Sequence, residues 1–251
     1  MSSQSNTAST VGINSVRSAL KFGPDGVAEL WLDRTRRDRR LAELAALARE
    51  AHVKVRQVAR DELDQAAQGA NHQGALAWVR MPVARTEHDL HRLLDAAEQP
   101  PLLLVLDGVT DPHNLGACLR SADGAGATAV IAPKDKAVGL TPVVVKVASG
   151  AAESLPFIQV TNLARTLEAL KLRGVWLIGL ADSVPTTLFD TELSGPIALV
   201  LGSEGSGLRR LTQERCDLLA SLPMRGCVES LNVSVAAGIC LYEVVRRRLA
   251  K

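Results

Sequence analysis

The sequence predicts an α/β protein in two parts: a small N-terminal α/β domain and a larger C-terminal domain built on a parallel sheet. Three observations carry this prediction. Residues 102–106 form a continuous apolar run of the kind found in fully buried parallel strands. Apolar segments recur at 127–131, 157–160, 175–180, 197–201 and 218–222, and helical patterns lie between several of them. Between the two parts the chain is punctuated by Pro82 and by Pro100 with Pro101, residues that lack an amide donor and disfavour helix in their predecessors.

Taken in order, residues 1–10 are polar, lack an apolar core and read as a disordered tail, not a signal peptide. Residues 11–80 form the first domain. A short helix is expected at 15–21 and a strand at 27–32. Helical spacing follows at Leu41, Leu44, Ala45, Leu47 and Ala48, then β-rich runs at 53–58 and 75–79. Residues 81–100 read as a linker in which Leu90, Leu93 and Leu94 allow one short amphipathic helix. Residues 101–251 form the second domain, closing with a long helix over 231–249 whose early part is almost entirely apolar.

Composition narrows the function. Of the 251 residues, 47% are hydrophobic and 22% charged, ordinary for a globular protein. Aromatics are only 3%, which argues against a broad stacking platform for RNA bases. With a net charge of +2, an anionic partner must be met by local patches. The candidates are Arg34, Arg36, Arg37, Arg39 and Arg40, then Arg246, Arg247 and Arg248; the plain alternative for each is a solvated helix face. Cys118, Cys216, Cys227 and Cys240 show no metal-binding spacing and are expected to be buried small hydrophobes in a reducing cytosol, with no metal bound. No apolar run reaches membrane-spanning length, so a cytoplasmic, soluble protein is expected.

Two familiar nucleotide motifs are excluded. Residues 124–129 fit G-x-G-x-x-A, but they follow a helical stretch and enter a strand, the reverse of a dinucleotide fingerprint. The glycine-rich residues 202–207 are not followed by G-K-[ST], which excludes a P-loop. Three segments remain, each just after an expected strand. In 106–126, Asn114 could simply cap a helix and Arg120 could be a surface charge. In 197–212, Glu204 sits among Gly202, Gly205 and Gly207 with little local structural purpose. In 221–247, Ser230 and Asn232 precede the apolar helix and, taken singly, read as caps.

Together the three segments resemble the TrmH branch of the SPOUT family of RNA 2′-O-ribose methyltransferases: N-x-G-A-x-x-R-S-A, then L-G-S-E-G-x-G-L, then L-P-M followed by S-L-N-V-S-V-A. The resemblance extends to residues 12–16 and the His72-Gln73-Gly74 triplet, which are similar to the family's small substrate-binding domain. Asn14 departs from the pattern, where a His is usual. The resemblance implies a C-terminal domain with a deep trefoil knot, a rare exception to un-knotted topology. It implies S-adenosyl-L-methionine as methyl donor, contacted by Gly202, Leu222, Met224 and Leu231. It places Asn114, Arg120, Glu204, Ser230 and Asn232 around the reacting hydroxyl of a guanosine ribose in 23S rRNA. The family casts Arg120 as general base; a guanidinium is essentially always protonated, so phosphate binding and alkoxide stabilisation suit it better. Asn114 and Asn232 would orient Arg120 or the ribose, and Glu204 would fix its own loop or Arg120. The resemblance also implies a homodimer through the last helix, where Val233, Val235, Ala236, Ile239, Cys240 and Tyr242 offer a surface. The alternatives are a tRNA ribose methyltransferase and a non-catalytic RNA-binding ribosome assembly factor.

Overall fold

A computed structural model describes residues 7–182 and 184–250, with only the backbone of Phe22. Ten strands and ten α-helices follow in chain order: β1 (Thr7–Val11), α1 (Ile13–Phe22), β2 (Val27–Asp33), α2 (Arg39–Glu50), β3 (Lys54–Val58), α3 (Arg60–Ala67), β4 (Ala75–Arg80), α4 (Glu87–Asp95), β5 (Leu102–Asp107), α5 (Pro112–Gly124), β6 (Ala129–Pro133), α6 (Pro142–Ala148), α7 (Ala151–Ser154), β7 (Phe157–Val160), α8 (Leu163–Leu172), β8 (Trp176–Leu180), β9 (Ile197–Gly202), α9 (Arg210–Arg215), β10 (Leu218–Ala220) and α10 (Val233–Leu249). They divide into two compact units. One runs up to Val83 and includes Leu140–Ser154; the other comprises Ala84–Gly139 and the chain from Leu155.

The first unit is a four-stranded sheet ordered β1-β4-β2-β3, antiparallel except for the parallel β2–β3 pair. On α1, Ile13, Val16 and Leu20 recur at helical spacing and are buried, as are Leu41, Leu44 and Ala48 on α2; together they cover one face. On α3, Leu63 and Ala67 pack with Val58 and Leu76 on the other face. The cap of α2 is Asp38, whose side chain accepts from the Arg40 and Leu41 amides. Of the expected tail, residues 1–6 lie outside the described residues, and the rest does not behave as a tail. Thr7–Val11 is a strand because its five residues pair in register with Arg80 to Leu76 of β4.

The second unit is a six-stranded, wholly parallel sheet ordered β10-β8-β9-β5-β6-β7. All six residues of β5 are buried, which explains why it reads as an unbroken apolar run. Leu103 and Val105 join the cluster built around Leu163, Leu167 and Leu170 of α8. Helices α5 and α10 pack on each other, α5 against β6 and α10 against β9. The stretch expected as a linker holds α4, whose Leu90 is 1% exposed in the α8 cluster. Its Glu87 accepts from Thr166 Oγ1 at 2.5 Å.

The C-terminal end of the sheet has one distinguished place. Central strands β5 and β9 pair from Leu102↔Ile197 to Asp107↔Gly202. The chain leaves β5 for α5, which packs with α10, and leaves β9 for α9, which packs with α8. Neighbouring strands whose exits diverge in this way open a crevice at their carboxyl ends, where open α/β sheets bind ligands.

Candidate active site

At that crevice the structure joins three of the residues singled out in the sequence. Asn114 Nδ2 donates to Glu204 Oε1 at 3.0 Å, and Asn232 Nδ2 donates to the same oxygen at 2.6 Å. Asn232 Nδ2 also lies 2.9 Å from Asn114 Oδ1, its acceptor. The three residues come from the first turn of α5, the loop after β9 and the start of α10, separated by 90 and 118 positions from Asn114.

Each is placed by its element. Asn114 does not cap α5: Asp111 does, accepting from the His113 amide at 2.9 Å. Asn114, 7% exposed, therefore turns its whole amide toward Glu204 and Asn232. Asn232 does both jobs, its Oδ1 accepting from the Ser234 amide while its Nδ2 faces the cluster. Glu204 is carried by a hairpin-like loop closed by reciprocal Ser203 and Gly207 backbone bonds of 3.2 and 3.0 Å. That loop folds so tightly onto the strand end that a Cβ on Gly202 would stand 2.0 Å from the Gly207 carbonyl carbon, so only glycine fits there. The carboxylate also reaches the buried side of α5: burial first, then the Glu204 charge, pushes the Cys118 thiol up to about 12.

Sequence reasoning missed one tie. Asp107, 1% exposed at the end of β5, accepts from the Arg209 amide at 3.0 Å and from its Nε at 2.5 Å, binding the β5 exit to the β9 loop. A buried acid ending an apolar strand is the signal that could have flagged it.

Other expected site residues stand apart. Arg120 is exposed on α5 and makes no hydrogen bond or ion pair with the described residues, so neither Asn114, Asn232 nor Glu204 orients it within this chain. Ser230 is exposed as well. Leu222, Met224 and Leu231 are half-buried along an irregular stretch that belongs to neither helix nor strand. In the first unit Arg34, Arg37 and Arg40 are exposed with unpaired side chains among the described residues. Arg39 pairs with Glu43 at 3.0 Å and Arg36 with Asp38 at 2.6 Å.

The C-terminal arginines are not a free anion site. Arg246 and Arg247 both bind Glu243, and Arg248 donates to the Pro100, Pro101 and Gly195 carbonyls. Two further expectations are corrected. Cys227 is exposed on a loop outside the core, and Cys216, at the end of α9, is half-buried against the edge of the α8 cluster. On α10, Val233 and Cys240 are buried within their own unit, leaving Val235, Ile239 and Tyr242 exposed. Among the described residues no cluster could hold a metal ion, and no helix is long and apolar enough to cross a membrane.

Comparison with known proteins adds to this geometry. Residues 101–242 match the model of the SpoU rRNA Methylase family, and residues 11–83 match that of the RNA 2′-O ribose methyltransferase substrate binding domain. The chain belongs to the SpoU methylase family. This SpoU family member is 53% identical over 240 residues to the 23S rRNA (guanosine-2′-O-)-methyltransferase RlmB of Pseudomonas putida, covering 96% of each chain. It is 54% identical over 242 residues to RlmB of Coxiella burnetii, again covering 96% of both. Among solved structures, the SpoU methyltransferase AviRb from Streptomyces viridochromogenes, in complex with AdoMet, superposes with a TM-score of 0.77 at 28% identity, over 98% of this SpoU chain and 91% of AviRb. A TrmH/SpoU tRNA modifying enzyme from A. aeolicus matches at TM-score 0.56 and 28% identity, over 65% of this chain and 84% of its own.

Proposed function

We propose that this chain transfers a methyl group from S-adenosyl-L-methionine to the ribose 2′-hydroxyl of a guanosine in 23S rRNA, in the cytoplasm. The observation that carries the site is the Asn114–Glu204–Asn232 junction at the mouth of the β5–β9 crevice. The near full-length likeness to RlmB proteins favours the ribosomal target. By contrast, the tRNA modifying enzyme matches only 65% of this chain.

The residues present fit the methyl donor. Past β10 the backbone of 222–232 is committed to neither helix nor strand, so its amides and carbonyls can serve an adenine edge. The half-buried Leu222, Met224 and Leu231 offer apolar cover for its faces. Gly202 lets the neighbouring loop close without a side chain in the way. When bound, S-adenosyl-L-methionine supplies a methyl group on a sulfonium, open to in-line attack by oxygen.

The chain's own residues do the rest. A ribose hydroxyl is a poor nucleophile and must be aligned while its proton is shared or removed. Glu204 Oε1 is held by two amides, which fixes the carboxylate and leaves Oε2 as an open acceptor beside the crevice. Arg120 stays cationic, binds the adjoining phosphate and stabilises the developing alkoxide. Ser230 borders the same hydroxyl at the approach to α10. Because Arg120 bonds to none of the described residues, it serves the crevice of a second copy, in a homodimer formed through α5 and α10. The exposed Val235, Ile239 and Tyr242 at helical spacing support that interface. The order of strands around β9 is compatible with a trefoil-knotted chain path, which we infer from family membership.

Incubation with labelled S-adenosyl-L-methionine and separate pools of 23S rRNA and tRNA tests the reading. Label should map to one guanosine ribose of 23S rRNA; label confined to tRNA would shift the target, and none in either pool would end the proposal.

A further inference from the structure

The first unit carries a concavity of about 350 Å³ lined by Ile13, Asp33, Arg36, Arg40, Arg60 and the 71–74 loop. Its walls are built, not incidental. Arg36 donates to the Gln73 carbonyl at 2.7 Å and to Asp38 at 2.6 Å, pinning that loop to the cap of α2. Gly74, at φ +84°, lies so close that an added Cβ would stand 3.2 Å from Arg36 Cδ. The buried His72 accepts from the Gly74 amide through Nδ1 at 3.0 Å, so its ring proton sits on Nε2, which faces Asp64 at 2.9 Å.

Asp33 forms the base of the concavity at 2% exposure, with Oδ1 accepting from the Thr35 amide and hydroxyl at 2.8 and 2.7 Å. Burial pushes its carboxyl up, but the Thr35 bonds and the charges of Arg60 and Arg36 outweigh this and hold it below the ordinary value. It stays ionised, within the field of those arginines. One cation is uncommitted and a second only loosely held. Arg40 has no side-chain bond among the described residues, and Arg60 lies 4.0 Å from Asp64, a carboxylate already shared with His72.

We propose that this concavity seats one unpaired nucleotide of the RNA, its phosphate on Arg40 and Arg60 and its base against Ile13 and the 71–74 loop. Duplex phosphates lie on a convex ridge and ask only for a basic surface. A recess of nucleotide size, with the amides of Asn71 and Gln73 beside guanidinium planes, matches the exposed edge and face of a splayed base. In a chain with 3% aromatics, arginine planes take the stacking role. The proposal rests on the RNA-methylating reading above and adds a second point of recognition, remote in sequence from the methyl-transfer residues.

The test uses the full-length protein and two fluorescent RNA hairpins that differ by a single bulged nucleotide. Anisotropy should show the bulged hairpin binding at least about tenfold tighter. In an Arg40→Gln, Arg60→Gln double variant, that preference should vanish while affinity for the paired hairpin changes little. Both arginines are exposed, so the variant keeps its thermal midpoint. Equal binding of the two hairpins by the unaltered protein, or a preference that survives in the double variant, overturns the proposal. Methylation without a bulge preference removes the recess alone; a bulge preference without methylation of any RNA removes the enzymatic reading and leaves the recess standing.

Discussion

Asn114 sits in the first turn of a helix already capped by Asp111, so its amide is released for Glu204 and Asn232. The sequence alone could not tell those uses apart, because a polar residue near a helix start reads equally as a cap. Replacing Glu204 by Ala strands the 7% exposed Asn114 donor and should cost about 1–3 kcal/mol in urea titration. Methyl transfer should fall by about 100-fold or more. Glu204→Gln keeps an acceptor oxygen and should recover most of the stability while leaving transfer low. Arg120→Ala behaves differently: an exposed side chain with no partner among the described residues should shift stability by no more than about 0.5 kcal/mol, with turnover collapsing in the labelled-donor assay.

Elements with strong apolar patterns were legible: β5, β7, β8 and β9 fall within a residue or two of their expected limits. β1 and α3 were not. β1 is a half-buried edge strand of sequence TASTV that exists through its pairing with β4. α3, RDELDQAA, shows only Leu63 and Ala67 to the core. Both owe their structure to neighbours, which a local pattern does not record. The crevice was legible as three motifs but not as a junction, since contacts across 90 and 118 positions follow from sheet topology. Two predictions belong at this scale. Gly202→Ala forces the loop off the strand end and should abolish donor binding by calorimetry, with a lowered thermal midpoint. In α10, hydrogen bonding from Arg246, then from Arg247, against the opposing effect of burial, lowers the Glu243 carboxyl from 4.5 to about 2. Its folded value lies below its unfolded one, so the stabilisation is complete above 4.5 and is lost as pH falls toward about 2. A pH series of thermal midpoints should show that acid-side loss in the native protein and much less of it in Glu243→Gln.

For the whole molecule, the exposed stripe Val235, Ile239 and Tyr242, 50%, 38% and 52% exposed, makes association the expected state. Ile239→Asp should sediment as a folded monomer and lose methyl transfer, since Arg120 would no longer reach a second crevice; an active monomer would refute the shared site. The three arginines near the end of the chain, which as sequence look like a tail for anions, fasten the molecule to itself. Arg248 clasps Pro100, Pro101 and Gly195, the entrances to the two middle strands. Its donor lies 148 residues from Pro100 and 53 from Gly195, so the clasp closes only after both strands are laid into the sheet. A chain without that guanidinium would keep its central strands unlatched and open to proteases for longer while it folds.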